Sequence, residues 1–156
     1  MYLLMKLLHL VAVIAFLGNI TTGLFWHAHA ARTREPKLLA HTMAGIIRSD
    51  RLFTTPGVIG IIVTGVAAAI YGGYPILGTG WIAWTLAAFA ISGLVFGLRV
   101  APLQRQLLAL AADGVQSGSF DYSRYRALAM RWEAWGAVAV LAPCIGLVLM
   151  VLKPSL

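Results

Sequence analysis

His9, His27 and Met150 are the side chains in this 156-residue chain whose types and places suggest chemistry rather than packing. A histidine about one turn inside an apolar stretch is costly and, in a membrane, usually functional. Neutral imidazole is a good axial donor to iron, and the thioether of methionine serves beside it in cytochromes. His9 and His27 are eighteen residues apart, five helical turns, so they share one stripe about 27 Å apart. Met5, Ala12, Val13, Phe16, Ile20 and Gly23 lie on that stripe. Met150 sits about one turn inside Lys153, at the depth of His9, and is placed to be a second ligand. His9 with Met5 and Met150 also offers the imidazole and thioether donors that suit Cu(I). His29 is two residues from His27 and points to another face. The structural alternative is plain: His9 hydrogen-bonded inside a bundle, and His27 resting at an interface.

A second constellation gathers Asn19, Arg48, Asp50, Arg51, Arg99, Arg131, Trp132, Glu133 and Trp135. Arg48, Arg51, Arg99 and Arg131 converging above an apolar cavity would suit the carboxylates or phosphates of a hydrophobic ligand, haem propionates among them. Arg131 and Trp135, four residues apart on a helix, are spaced to stack. Asp50 and Glu133 are expected to pair with these arginines. The bland reading is a solvated collar.

The elements that must position these groups follow from the charge map. Every acid and ten of the twelve Lys/Arg fall between Arg32 and Arg51 or between Arg99 and Glu133. Only Lys6 and Lys153 stand outside. A bilayer imposes this layout, because charge at its centre costs several kcal/mol. A span needs about 20 apolar residues, and four stretches qualify. They run from about Leu3 to Trp26, Thr55 to Tyr71, Trp81 to Leu98 and Ala134 to Leu152. Each basic segment carries five Lys/Arg, so both are expected on the cytoplasmic side, with both termini and the Gly72–Gly80 turn outside. Cleavage after Ala28-His29-Ala30 would reverse that bias and is not expected. No acid lies in a span, which argues against a proton-coupled exporter.

The fold expected is therefore all-α: one domain over residues 1–156, an integral membrane four-helix bundle. An amphipathic cytoplasmic helix between spans one and two carries Leu39, Met43, Ile46 and Ile47 on one face, with Lys37, His41 and Arg48 on the other. It is expected to lie on the membrane surface. The third span continues past Pro102 and stops at Asp113-Gly114. Gly93 and Gly97 form a GxxxG expected to pack against a neighbouring helix, and a second copy of the chain is a candidate partner. Trp26, Trp132 and Trp135 at one boundary, with Trp81 and Trp84 at the other, form interfacial belts. The net charge of +7 is assigned to anionic lipid headgroups, not to nucleic acid. Lone Cys144 permits no intramolecular disulfide.

Particular motifs carry a resemblance. Leu4-Met5-Lys6-Leu7-Leu8-His9-Leu10, Leu17-Gly18-Asn19, Ser49-Asp50-Arg51-Leu52-Phe53-Thr54-Thr55-Pro56-Gly57 and Leu77-Gly78-Thr79-Gly80-Trp81 are the first of them. Pro102-Leu103-Gln104-Arg105, Arg131-Trp132-Glu133-Ala134-Trp135-Gly136 and Val151-Leu152-Lys153-Pro154 complete the set. Together they resemble a family of small four-span bacterial membrane proteins of unknown function. That implies a bacterial inner membrane with periplasmic termini. More distantly, the first helix resembles those of J-type protoporphyrinogen oxidases and copper-resistance D-type proteins. The resemblance to the oxidases implies haem b bound through His9, acting in electron transfer or porphyrin oxidation with a porphyrin or redox partner. The alternatives are a non-catalytic membrane subunit or assembly factor, and a copper-handling protein that uses His9 and Met150.

Overall fold

A computed structural model describes residues 1–155. Six α-helices run in the order α1 (Tyr2–Thr33), α2 (Pro36–Ser49), α3 (Thr55–Tyr71), α4 (Gly80–Val95), α5 (Ala101–Ser117) and α6 (Tyr122–Leu152). One π-turn, Asp50–Thr54, joins α2 to α3, and another, Phe96–Val100, joins α4 to α5. The chain therefore forms four long rods, each with a stretch long and apolar enough to span a membrane.

Both π-turns precede a proline for a physical reason. Pro56 and Pro102 lack the N–H that would bond Leu52 and Leu98, and their rings crowd those carbonyls. The helix widens instead, with Thr55 N–H donating to Asp50 and Ala101 N–H donating to Phe96, each five residues back. Pro143 leaves a similar gap inside α6, where the Ala139 carbonyl loses its helical donor. The Ser92 hydroxyl of α4 supplies one at 2.6 Å and ties the two rods together. Ser92→Ala should lower stability by about 1 kcal/mol, read from the unfolding midpoint in detergent, and by less in a Pro143→Ala background that restores the amide.

α1 packs along α3 and α4 along α6, while α4 makes no close backbone approach to α1 or α3 among the described residues. The half of the bundle bearing the chain termini is thus two helix pairs with space between them. In the charged half the helices close on a packed core instead. Leu39, Met43, Leu107, Ala111, Tyr125 and Ala129 are all fully buried there, with Trp132 beside them.

Four sequence expectations change here. The apolar face of α2 does carry Leu39, Met43 and Ile46, but it packs on α5 and α1, so protein rather than a membrane surface covers it. α5 runs through Asp113-Gly114 and stops at Gly118, whose φ of 67° is the left-handed turn glycine adopts readily. Gly114 instead admits Phe120, whose ring would lie 2.6 Å from any Cβ there. Gly93 and Gly97 face outward with no neighbour within 4 Å of a Cβ; the close α1–α3 seam uses Gly57, Gly60 and Gly65. Trp132 is core, not belt, at 3% exposure, whereas Trp26 and Trp84 are exposed. At the start of α6, Asp121 accepts from the Ser123 hydroxyl and the Arg124 amide, which together hold its carboxyl below the usual range.

Candidate ligand cavity and the polar network beneath it

The space between the two helix pairs is a cavity of about 450 Å³. Its walls are apolar: Val13 and Phe16 of α1, Ile61 and Val66 of α3, Leu86 and Phe89 of α4, Pro143 and Leu147 of α6. Phe16 and Phe89 meet across the bundle with ring centroids 5.8 Å apart and form a floor. Tyr2, Tyr74 and Lys153 line the cavity too, which places both chain ends and the loop between α3 and α4 at one end of the bundle.

His9 and Met150 both line this cavity, as their matched depth predicts. The His9 ring is held against α3. Its Nδ1 lies 2.9 Å from the Ile61 carbonyl, an acceptor only, so Nδ1 bears the proton and donates. Thr64 Oγ1 sits 3.5 Å from the same nitrogen and donates to the Gly60 carbonyl. Nε2 is then the unprotonated nitrogen, and among the described residues it has no hydrogen-bond partner. Gly65 makes this docking feasible, since a Cβ there would lie 2.9 Å from His9 Cε1 and 3.0 Å from Nδ1. A fixed tautomer whose second nitrogen is bonded to a carbonyl is the arrangement that metal-ligating histidines adopt.

Two cations line the same cavity, and they are the two that stand outside the charged segments, Lys6 and Lys153. Lys153 lies 5.4 Å from the ring centres of both Tyr74 and Trp81, which close the termini end. Arg48, Arg51, Arg99 and Arg131 are not among the lining residues. They belong to the charged end, where Arg99, rather than Arg131, stacks on Trp135 at 5.4 Å. Met5 does not line the cavity, so the thioether donors there reduce to Met150. No group of three His, Cys, Asp or Glu side chains is placed to hold a metal ion among the described residues.

Directly beneath the floor lies a polar cluster. Asn19 is three residues past Phe16, about 4.5 Å further along α1. Its amide donates to Asp50 Oδ1 at 3.1 Å and to Thr54 Oγ1 at 2.9 Å. Thr54 passes its own proton to Asp50 Oδ1 at 2.8 Å, and Gln104 Nε2 donates to Asp50 Oδ2 at 2.8 Å. The expected pairing of Asp50 with arginine is therefore replaced by three neutral donors from α1, the first π-turn and α5. No cation lies within ion-pair distance of it among the described residues. Glu133 likewise pairs with Arg126 at 2.6 Å and not with the four arginines singled out above.

His27 is enclosed by protein. It is 1% exposed, its Nε2 lies 3.1 Å from the buried Tyr125 hydroxyl, and its ring meets that of Trp132 in a T-shaped contact with centroids 4.8 Å apart. His9 and His27 share a stripe of α1, yet they line separate hollows at opposite ends. Sequence reasoning passed over Gln104, Thr54, Lys6, Lys153 and Gly65 as site residues. One signal was available: Asn19, a polar amide within an apolar span, needs a partner from another rod.

Fold and site together define an all-α, four-span membrane protein with a histidine-bearing apolar cavity at its termini end. The chain belongs to a family described as predicted integral membrane protein (DUF2269), whose model matches residues 3–154. That family is a domain of unknown function. No curated protein and no solved structure matches the chain.

Proposed function

We propose that this protein binds a metalloporphyrin, haem b in the first instance, in the termini-side cavity, where His9 Nε2 would hold the iron. The observation that carries the reading is the His9–Ile61 hydrogen bond, which engages Nδ1 and leaves Nε2 unprotonated on a histidine that lines the cavity together with Met150. The cavity volume of about 450 Å³ falls within the range of about 300–1,000 Å³ typical of ligand pockets. Apolar walls suit the macrocycle. Lys6 and Lys153 suit its propionates, the role the sequence assigned to Arg48, Arg51, Arg99 and Arg131. When bound, the porphyrin iron supplies one-electron chemistry, tuned by its axial ligands. The chain's own residues set the tautomer of His9, exclude water with Phe16 and Phe89, and anchor anionic groups at the rim.

The positive-inside bias of the basic segments supports a reading in which the cavity opens toward the periplasmic side of a bacterial inner membrane. Either electron transfer or porphyrin oxidation would use a haem held by His9 in this way. The copper reading has less support, because one imidazole and one thioether are a thin donor set.

The test is the absorption spectrum of detergent-purified protein with and without added haemin. A Soret band shifted from that of haemin in empty micelles supports the proposal; spectra identical to the empty-micelle control contradict it. Gly65→Ala, whose methyl displaces the His9 ring, should weaken haemin binding about tenfold without removing the ligand.

A further inference from the structure

A second hollow, at the charged end, has the makings of a site of its own. This groove of about 630 Å³ lies between the end of α1 and the start of α6. Arg32, Arg34 and Arg126 line it, and Glu133 is the carboxylate that faces them. Glu133 is taken by Arg126, so Arg32 and Arg34 have no acidic partner among the described residues. With His27 counted as neutral, two positive charges stand in excess. Arg34 lies 5.1 Å from the ring centre of Tyr122, which holds one guanidinium over the groove. Trp132 adds an independent observation. It lines the groove at 3% exposure, and its indole N–H is the one buried side-chain donor without a partner among the described residues.

We infer that this groove binds a phosphate-bearing anion: Arg32 and Arg34 engage the phosphate oxygens, and an oxygen at the inner end satisfies the Trp132 N–H. Guanidinium groups match phosphate geometry, and an indole N–H left buried without an acceptor is costly. The same oxygens reach the site on a phospholipid headgroup or on a free phosphate. Leu24 and Ala28 continue the groove toward the apolar part of α1, along which an acyl chain can lie.

Native mass spectrometry of the full-length protein, released from micelles doped equally with phosphatidylglycerol and phosphatidylcholine, tests this. Wild type should retain the anionic lipid preferentially. Arg32→Gln/Arg34→Gln should reduce that preference about tenfold or more, while Lys37→Gln/Arg105→Gln, which removes equal charge elsewhere at the same end, leaves it intact. In parallel, inorganic phosphate is titrated against the thermal midpoint. Stabilisation of wild type but not of the Arg32/Arg34 variant, without any lipid preference, assigns the site to free phosphate. Equal loss in both double variants, or no effect of either probe on wild type, overturns the inference. Arg32 and Arg34 are exposed, so an unchanged midpoint without ligand checks that the variant is folded.

Discussion

Asp50→Ala is expected to destabilise the protein by about 3–5 kcal/mol, a large share of the roughly 5–15 kcal/mol that holds a typical protein folded. The carboxylate is the common acceptor of Asn19, Thr54 and Gln104, and it ties α1 and α5 to the π-turn that opens α3. Its removal strands three donors in the bundle interior, each at about 1–3 kcal/mol. Asp50→Asn should cost much less. Its amide oxygen still accepts from Asn19 and Thr54, and the Gln104 amide can turn to offer oxygen in place of N–H. The checking experiment is denaturant unfolding in a fixed detergent, followed by helical signal. An Asp50→Ala curve superimposing on wild type would show that the network does not hold the rods together.

His9→Ala should have the largest effect on ligand binding, weakening haemin by about 100-fold or more, since loss of second-shell support alone costs about 10–100-fold. Stability should change far less, because His9 is only partly buried and bonds a single carbonyl. Imidazole added to the variant should restore part of the lost affinity, as the vacated volume borders the cavity. That rescue separates lost ligation from a collapsed site. It would not occur if the histidine served only to pack α1 on α3.

Much of the architecture was legible because a bilayer punishes charge. Segregation of Lys and Arg gave the four rods and put both chain ends on one side of the bundle. Turn counting from Lys153 put Met150 at the depth of His9, and both line one cavity. Other features were hidden for identifiable reasons. The apolar face of α2 announces that something covers it, but periodicity does not tell lipid from the protein surface of α5. Gly114 and Gly118 are both plausible stops in sequence, and only the packing of Phe120 shows that the first is a contact site. Lys6 and Lys153 look like ordinary flanking charges until Tyr74 and Trp81 fold over the cavity mouth. Asp50 sits in a stretch rich in arginine, so an ion pair was the natural expectation. The π-turn forced by Pro56 instead aims it inward at amides and a hydroxyl.

The proposed role of His9 Nε2 is to donate to a metal in the termini-side cavity. Nitrogen-15 NMR of histidine-labelled protein, titrated with diamagnetic zinc protoporphyrin, addresses it most directly, because both ring nitrogens of all four histidines are observed separately. One histidine, absent from the His9→Ala spectrum, should shift at Nε2 on addition while its Nδ1 keeps the proton shared with Ile61. A spectrum in which Nε2 of that histidine does not move at saturating porphyrin, or in which another histidine shifts in its place, would contradict it.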